Sequence, residues 1–469
     1  MSRYTSATPD DRAAMLAAIG AGSTAELFDQ VPEPLRLDRP LELPPGMSEA
    51  EVFERLAALA ETNADAEEQV CFLGAGMYDH YVPAIVDAIT QRSEFLTPYT
   101  PYQPEISQGG LQAMFEFQTA MSELTGLPVS TAGLYEGPSS VASAGYLAIG
   151  ATGRRRFVVS RGVHPHSRET LATYAEGFGA EIVEVGLEGG VTDAAALADA
   201  VDDQTAAVFL ENPNFLGAVE DVEALGAAAK AQDALLIVAA DPMTLGVLKP
   251  PGECGADVAL GEGQPLGNRL DFGGPSFGFF CGTEKLIRRM PGRIAGETED
   301  LDGRRGFVLA LQTREQHIRR EKATHNICTA QALNALAAMV HLAWLGREGF
   351  RELGELLVRR TAYARERLSS VEGVELLHDT PVVREFALRL DAPVGPVLER
   401  CAEHGIAAGY PLGREYPEYE DGLLVAITER RSKEQIDALA DALGAAVETE
   451  RGAFLSHSES KSPQPQEIA

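Results

Sequence analysis

The chain has 469 residues, of which 45% are hydrophobic, and its formal net charge at pH 7 is -31. This length predicts two or three domains with large apolar cores. The negative charge excludes nucleic acid and acidic membrane surfaces as partners, because both present phosphate groups that bind basic proteins. No stretch approaches about 18 unbroken apolar residues, and the opening MSRYTSATPDDRAAM lacks the order of a signal peptide, so the sequence predicts a cytoplasmic protein.

The positive charge is carried mainly by arginine, because lysine is rare. A strongly acidic, lysine-poor surface indicates a cell interior of high salt, where dissolved ions screen the repulsion between carboxylates. We treat this as a hypothesis about habitat. The lysines are Lys230, Lys249, Lys285, Lys322, Lys433 and Lys461.

The cysteines indicate neither a disulfide framework nor a metal site. They are scattered without a Cys-x-x-Cys pair, and no histidine cluster has the spacing of zinc ligands. We expect buried free thiols. The cysteines are Cys71, Cys254, Cys281, Cys328 and Cys401.

The first part of the chain, residues 1–72, is predicted to be an N-terminal helical segment. Pro9 opens an amphipathic run that continues to Ile19, and Ser48 precedes a second run, EAEVFERLAALAE. Such helices usually brace a larger domain.

Residues 73–325 are predicted to form a large α/β domain. Short apolar runs alternate there with helical stretches, which requires crossover connections and a mainly parallel sheet. The runs are FVVS, EIVEV, AAVFLE, LLIVAAD, VALG and SFGFFC.

The Arg- and Glu-rich section at 304–323 is predicted to be helical. Residues 326–455 are predicted to form a small α+β domain, with strands VELL, REFALRL and GLLVAIT and a closing helix SKEQIDALADALGAAVE. Residues 456–469, rich in Ser, Pro, Gln and Glu, are predicted to be a disordered tail.

Ligands of open α/β sheets bind beyond the carboxyl ends of the strands. In LYEGPSSVASA, the residues Glu136, Ser139 and Ser140 lead into a helix of small residues. Exposed N–H groups and hydroxyls at a helix start can hold a phosphate. An ordinary capped helix is the alternative.

Two further candidates follow predicted strands. His164 comes after FVVS, and Asp241 ends LLIVAAD. In pyridoxal-phosphate (PLP) enzymes of the aspartate aminotransferase fold, a ring stacks on the cofactor and a strand-end Asp holds the pyridine nitrogen protonated. Both residues precede a proline, so turn formation is the alternative.

A lysine is missing where such an enzyme needs one. A PLP enzyme of this fold carries its Schiff-base lysine on the segment after the strand that follows the Asp. No lysine lies between Lys249, in a predicted exposed turn, and Lys285, on a predicted helix. Either lysine as the Schiff-base residue remains an alternative.

Several stretches from about residue 72 to 333 resemble one family, the P-protein of the glycine cleavage system, glycine dehydrogenase (decarboxylating, aminomethyl-transferring). In some organisms this protein is split in two, and the chain looks like subunit 1, the α subunit. The matching stretches are FLGAGMYDHYVP, TPYTPYQPEISQGGLQAMFEFQTAMSELTGLP, LYEGPSSVASA, GGPSFGFF and RREKATHNICTAQAL.

The resemblance implies a PLP-dependent transferase fold, aspartate aminotransferase-like (fold type I). The lysine-bearing half of the family has its lysine eleven residues before the proline of a GGP turn, and counting back from Pro275 gives Gln264. Glutamine cannot form an imine. The resemblance therefore implies PLP on the partner, subunit 2, in a complex of two α and two β chains that decarboxylates glycine and transfers its aminomethyl group to the lipoyl arm of H-protein.

The resemblance also implies that TPYTPYQPE reaches the shared active site or the subunit interface through Tyr99, Tyr102, Gln103 and Glu105. A surface loop braced by its prolines is the alternative. In RREKATHNICT, Asn326 is a further candidate, and a helix cap is its alternative. The family usually has TSNICT here, and its cradle often has Thr or Ala where this chain has PSS.

Three functions follow: a subunit of glycine dehydrogenase that is inactive alone, a self-sufficient PLP lyase or transaminase using Lys249 or Lys285, and a non-catalytic scaffold.

Overall fold

The computed structural model describes residues 6–37, 39–271, 273–274, 276–328 and 330–460, with 453–460 as backbone only. Two compact units, Met1–Ala64 and Asp65–Ala469, divide the chain. The helices are α1 (Pro9–Ile19), α2 (Glu49–Ala60), α3 (Ala84–Thr90), α4 (Ser93–Leu96), α5 (Gln108–Thr125), α6 (Gly137–Thr152), α7 (Pro165–Phe178), α8 (Ala194–Ala200), α9 (Val222–Ala231), α10 (Gln316–Arg319), α11 (Ala332–Ser369), α12 (Val394–Glu403) and α13 (Lys433–Ser460). The strands are β1 (Val70–Cys71), β2 (Val129–Ser130), β3 (Arg156–Ser160), β4 (Glu181–Val185), β5 (Leu187–Glu188), β6 (Val191–Thr192), β7 (Thr205–Asn212), β8 (Leu235–Ala240), β9 (Val258–Glu262), β10 (Gly278–Gly282), β11 (Ile294–Glu299), β12 (Arg305–Ala310), β13 (Val374–Leu376), β14 (Glu385–Leu390), β15 (Ile406–Ala407), β16 (Tyr410–Pro411) and β17 (Gly422–Ala426).

The helices of the first unit begin at capping boxes. The Thr8 hydroxyl accepts from the Asp11 N–H at 3.2 Å, and the Thr8 N–H donates to the Asp11 carboxylate at 2.8 Å. Ser48 and Glu51 make the same reciprocal pair at the start of α2. These bonds satisfy N–H groups that the first helical turn leaves free, so both helices begin where the sequence predicts.

The second unit contains a seven-stranded sheet, called the large sheet, in the order β2-β10-β9-β8-β7-β3-β4. Strands β9, β8, β7, β3 and β4 are parallel, whereas β10 is antiparallel to both of its neighbours. The predicted mainly parallel sheet is therefore confirmed. The order reverses between β3 and β7, which makes their carboxyl ends the switch point where open α/β sheets bind ligands.

Helices cover both faces of the large sheet, which is why its central strands carry continuous apolar runs, such as AAVFL in β7 and LLIVAA in β8. On one face α6 and α7 pack on Phe157, Phe209 and Ile237. On the other face α8 and α9 pack on Val158 and Val208.

The predicted helix at 304–323 is wrong over its first half. Residues 305–310 form β12, which pairs with β11 in a hairpin. Phe307 and Leu309 are buried beside Leu111 of α5, and the residues between them are more exposed. Buried and more exposed residues alternate with a period of two, which is the pattern of a strand. The many charged residues in this section obscure that period in the sequence. Helix α10 occupies only part of the remaining section.

The last part of the chain builds a four-stranded antiparallel sheet, called the small sheet, in the order β13-β14-β17-β16. Helices α11, α12 and α13 pack on it, with Leu368, Val397 and Leu443 fully buried. Helix α11 leads into it and is interrupted at Gly346, whose φ of 62° a side chain would strain.

The predicted boundaries near 72, 325 and 455 remain predictions. Strand β1, within the predicted N-terminal segment, pairs with β15, and α11 begins shortly after residue 325. Helix α13 continues to Ser460, so the predicted tail starts inside it, and residues 461–469 lie outside the described part of the chain.

The net charge of -31 predicts a stability that depends on salt. Raising the ionic strength from about 0.1 M to about 1 M shortens the Debye length from about 10 Å to about 3 Å and so weakens carboxylate repulsion. We expect the thermal midpoint, followed by circular dichroism in KCl, to rise by several degrees. An unchanged midpoint and unchanged assembly at low ionic strength would contradict the high-salt hypothesis.

Candidate functional site at the switch point of the large sheet

A cavity of about 330 Å³ lies at the carboxyl ends of β3, β7, β8 and β9. It brings together three residues that the sequence singled out, Glu136, His164 and Asp241. Charged and aromatic residues from distant parts of the chain line it as well. These further residues are Tyr78, His166, Glu211, Glu262 and Arg384.

The start of α6 faces this cavity, and carboxylates of the chain itself take its hydrogen-bond donors. The Gly137 N–H donates to Oε2 of Glu262 at 3.0 Å. The Ser139 N–H donates to Oε1 of Glu136 at 3.1 Å, and the Ser139 hydroxyl also bonds that oxygen. The Ser140 hydroxyl donates to the Glu136 carbonyl at 2.9 Å. The donors of this helix start are therefore satisfied within the chain, and its role as a phosphate cradle stays a prediction.

Gln264 is fully buried and links two parts of the chain. Its Nε2 donates to the Tyr78 carbonyl at 3.1 Å and to the Asn268 carbonyl at 2.8 Å. Its Oε1 accepts from the Tyr78 N–H at 2.9 Å. The side chain thus pairs with both backbone groups of Tyr78, as a neighbouring strand would.

Asp241 is paired with a buried guanidinium. Nε of Arg384 donates to Oδ2 of Asp241 at 2.5 Å, and the Met243 N–H donates to Oδ1 at 3.1 Å. An Nη1 of Arg384 also lies 2.6 Å from Nε2 of His80, whose Nδ1 lies 2.6 Å from the Glu429 carboxylate. A guanidinium can only donate, so Nε2 of His80 accepts and Nδ1 carries the proton toward Glu429.

Tyr78 packs against the same guanidinium. The central carbon of Arg384 lies 3.3 Å from the centre of the Tyr78 ring, a close cation–π contact. The Tyr78 hydroxyl donates to Oε2 of Glu385 at 2.7 Å, and the Ala75 N–H donates to Oε1 at 2.8 Å. Residues 74–80 are therefore held from both sides, by Gln264 after β9 and by Arg384 and Glu385 at β14.

His164 closes a further side of the cavity. Its Nε2 lies 2.8 Å from the Ala75 carbonyl, and its N–H donates to Oε2 of Glu211 at 2.7 Å. Gly76 has a φ of 100°, and a Cβ on it would lie 2.8 Å from Nε2 of His164. Only glycine fits beneath this ring.

Buried carboxyl groups lie in and next to the cavity. Burial raises the pKa of Glu211 to about 8 and the pKa values of Glu262 and Glu385 to about 7. Burial also lowers the pKa of His164 to about 4. Among the described residues that line the cavity, Arg384 is the one Lys or Arg side chain. These carboxyl groups therefore lack enough positive charge nearby to keep all of them ionised.

These pKa values predict that the protein loses stability between about pH 6.5 and about pH 8. The folded chain binds more protons than the unfolded chain there, because the folded pKa of Glu211, about 8, exceeds its unfolded value; stability then falls as pH rises. The lowered pKa of His164 acts in the opposite direction, but only below about pH 6.5. We expect a loss of about 2 kcal/mol in the free energy of unfolding, measured by urea titration.

Glu211→Gln removes the main contributor and should remove most of this loss. Glu299→Gln is the matched control, because Glu299 is exposed at the end of β11. A wild-type stability that stays flat over this pH range would contradict the prediction.

A second cavity, of about 490 Å³, lies between the 94–110 segment and the start of α11. Tyr99 lines it and is 84% exposed. Tyr102 follows, and its hydroxyl donates to Oε2 of Glu315 at 3.0 Å and accepts from Nη2 of Arg293 at 3.1 Å. Arg293 also lines this cavity and is buried.

The sequence candidates thus do not form one site, because one group lies at the first cavity and another at or beside the second. Gln103 and Glu105 are exposed beside the second cavity. Asn326 is exposed, its carbonyl accepts from Nε2 of Gln316 at 3.2 Å, and it lines neither cavity.

The two lysines kept as alternatives lie at the surface. Nζ of Lys249 is 2.8 Å from the carboxylate of Glu223, and both side chains are about half exposed or more. Lys285 is exposed in a short 3₁₀ turn. Neither lines a cavity described above.

Sequence reasoning missed Glu211, Glu262, Arg384 and Glu385. Glu211 and Glu262 lie at the carboxyl ends of predicted strands, so the strand-end rule that selected Asp241 could have found them. Arg384 and Glu385 come from the small sheet, and no local signal connects them with this cavity.

Over the described ranges, no group of three or more His, Cys, Asp or Glu side chains is placed to hold a metal ion. In the same part of the chain, no helix has the length and apolar character needed to cross a bilayer.

Comparison with solved structures defines the class. The chain matches a sphingosine-1-phosphate lyase of Burkholderia pseudomallei with a TM-score of 0.63, at 16% identity, over 92% of this chain and 98% of that one. It also matches a NifS-like protein with a TM-score of 0.60, at 13% identity, over 81% and 100%. The fold is that of the PLP-dependent fold type I enzymes, as predicted.

Closer matches identify the family. A crystal structure of glycine decarboxylase (P-protein) of the glycine cleavage system, in inhibitor-bound form, matches with a TM-score of 0.87 at 43% identity, over 95% of this chain and 100% of that one. The family model of the glycine cleavage system P-protein matches residues 2–443. The chain belongs to this P-protein family.

Full-length relatives refine the resemblance. Proteins of Carboxydothermus hydrogenoformans and Moorella thermoacetica are 49% and 50% identical over 442 and 441 residues, which is 94% of this chain and 99% and 98% of theirs. Both are named probable glycine dehydrogenase (decarboxylating) subunit 1. The predicted resemblance to subunit 1 is confirmed.

The residues of this chain's own cavity do not fit PLP. Gln264 cannot form an imine, the Gly137 N–H is taken by Glu262, and both oxygens of Asp241 already accept hydrogen bonds. No chemical step is therefore assigned to PLP in this cavity.

Proposed function

We propose that this chain is the α subunit of a glycine dehydrogenase whose PLP is carried by subunit 2. Together the two chains decarboxylate glycine in the cytoplasm, release CO₂ and transfer the aminomethyl group to the lipoyl arm of H-protein. The observation that carries this proposal is the buried, fully bonded Gln264 at the position where the family resemblance places the Schiff-base lysine. The full-length match to subunit 1 relatives supports it.

The second cavity supports a role at the subunit interface. The segment that lines it exposes large apolar side chains, with Tyr99 84%, Ile106 78% and Leu96 57% exposed. Clusters of exposed apolar residues mark interaction sites in soluble proteins. We propose that this face contacts subunit 2 in an assembly of two α and two β chains, with Tyr102 and Arg293 facing the shared site.

The proposal that subunit 2 carries PLP and that only the pair is active can be tested with the full chain, alone and co-purified with subunit 2. Exchange of the glycine carboxyl group with bicarbonate measures decarboxylation, and borohydride reduction followed by peptide mass mapping locates the pyridoxyl group. We expect exchange only in the pair and the pyridoxyl group on subunit 2. A pyridoxyl group on Lys249 or Lys285, with activity in the isolated chain, would instead establish a self-sufficient PLP enzyme.

Tyr102→Phe is expected to slow this exchange about tenfold while the pair still assembles. The change removes the hydroxyl that bonds Glu315 and Arg293, and losing a hydrogen bond to a charged group costs about 1.5 kcal/mol. Tyr174→Phe, on the half-exposed face of α7, is the matched control and should retain the wild-type rate.

A scaffold role predicts a different outcome. Activity of the pair that survives joint replacement of Tyr102, Glu136 and Asp241 would favour the scaffold role.

A further inference from the structure

We propose that this chain satisfies the cofactor contacts of its own cavity with its own side chains: Glu262 occupies the place at the start of α6 where an enzyme of this fold holds the PLP phosphate, and Arg384 occupies the place of the pyridine nitrogen at Asp241. Gln264 stands at the position of the Schiff-base lysine. Three cofactor contacts, to the phosphate, to the pyridine nitrogen and to the lysine, are thus each replaced by a contact within the chain. PLP could therefore bind in this cavity only by displacing contacts within the chain, even if a lysine is restored.

The first contact is at Glu262. Its two carboxylate oxygens accept from separate backbone donors, Oε2 from the Gly137 N–H at 3.0 Å and Oε1 from the Gln264 N–H at 2.9 Å. A Cβ built on Gly137 would lie 3.1 Å from Cβ of Glu262, so the helix start and this side chain are already in contact. No space remains between them for a phosphate group.

The other donors of this helix start offer no substitute. The Ser139 N–H donates to the carboxylate of Glu136, and the Ser140 N–H donates to the Glu136 carbonyl. Pro138 has no N–H. A phosphate could bind only by displacing a carboxylate, and the carboxylates that remain would repel it.

The second contact is at Asp241. Arg384 is almost fully buried and donates to Oδ2, while the Met243 N–H takes Oδ1. A protonated pyridine nitrogen would have to replace a guanidinium that also bonds His80 and stacks on Tyr78. This exchange would leave a buried positive charge without its carboxylate.

Restoring the cofactor site therefore requires more than a lysine. The experiment uses the full chain in three forms: Gln264→Lys, Gln264→Lys with Glu262→Ser, and Gln264→Lys with Glu211→Gln. Each is titrated with PLP and reduced with borohydride, and the pyridoxyl group at position 264 is quantified by peptide mass mapping. The mapping distinguishes this chain from any partner, so the result does not depend on which chain carries PLP in the natural complex.

We expect Glu262→Ser to lower the PLP concentration for half-labelling at position 264 by about 100-fold relative to Gln264→Lys alone. Glu211→Gln is the matched control, because Glu211 is a buried carboxyl group in the same cavity that does not contact Gly137; it should change labelling less than about threefold. Equal labelling with and without Glu262→Ser would overturn the proposal. An equal gain from Glu211→Gln would also overturn it, since the effect would then reflect general charge in the cavity.

A second measurement remains informative if the lysine variants do not fold. At an ionic strength held constant with KCl, inorganic phosphate should raise the thermal midpoint of the Glu262→Ser single variant and leave that of the wild type unchanged, because only the variant frees the Gly137 N–H. The same rise in both proteins, or in neither, would overturn the assignment of Glu262 as the occupant of the phosphate place.

Discussion

Replacing Arg384 by alanine is expected to lower the free energy of unfolding by about 3–5 kcal/mol, because it removes one partner of a buried ion pair. Asp241 would lose its cationic partner in the cavity, and His80 would lose the donor at its Nε2. The change also removes the group that stacks on Tyr78. Urea unfolding at about pH 7 measures the difference.

Arg389→Ala, on the strand β14 that directly follows Arg384, is the matched control. Its guanidinium pairs with Asp421 at 3.1 Å, but both side chains are nearly half exposed. Exposed ion pairs contribute about 0–1 kcal/mol, so this variant should remain close to the wild type. Equal effects of Arg384→Ala and Arg389→Ala would show that the buried pair does not hold residues 74–80 in place.

Gln264→Ala is expected to cost about 3 kcal/mol, because three backbone hydrogen bonds lose their partner inside the protein. The unsatisfied groups would be the N–H and carbonyl of Tyr78 and the carbonyl of Asn268. Urea unfolding measures the loss, and hydrogen exchange at the Tyr78 amide reports where it occurs.

Gln112→Ala provides the control for Gln264→Ala. Gln112 is exposed on α5, and its amide bonds the side chain of Glu116. Exposed substitutions of this kind usually change stability by less than about 0.5 kcal/mol. A Gln264→Ala protein as stable as this control would show that the glutamine merely fills space.

The strands of the large sheet could be predicted because each is a short apolar run between helices, and period and length are local properties of the sequence. The strand-end rule then placed His164 and Asp241 at one edge of the sheet. The partner of Asp241 could not be found in this way, since Arg384 lies 143 residues further along the chain and belongs to another sheet. Pairing of this kind is decided by tertiary packing.

The position of Gln264 could be predicted from family spacing, but its role could not. Spacing indicates that an imine-forming residue is absent, whereas the structure shows an amide that binds the backbone of Tyr78. Likewise, the loop around Tyr99 and Tyr102 was predicted to reach a shared site, and the structure places it at a second cavity. No local pattern indicates that these two groups of residues are separate.

The contacts that fix residues 74–80 also affect how the two sheets can move relative to each other. Gln264, which follows β9 of the large sheet, hydrogen-bonds the backbone of this segment. Arg384 and Glu385, at the start of β14 in the small sheet, contact it as well. A hinge motion that separates the two sheets would have to break these buried bonds together. The segment thus links the two sheets, and the second unit should respond to a partner as one rigid body rather than as two lobes that open and close.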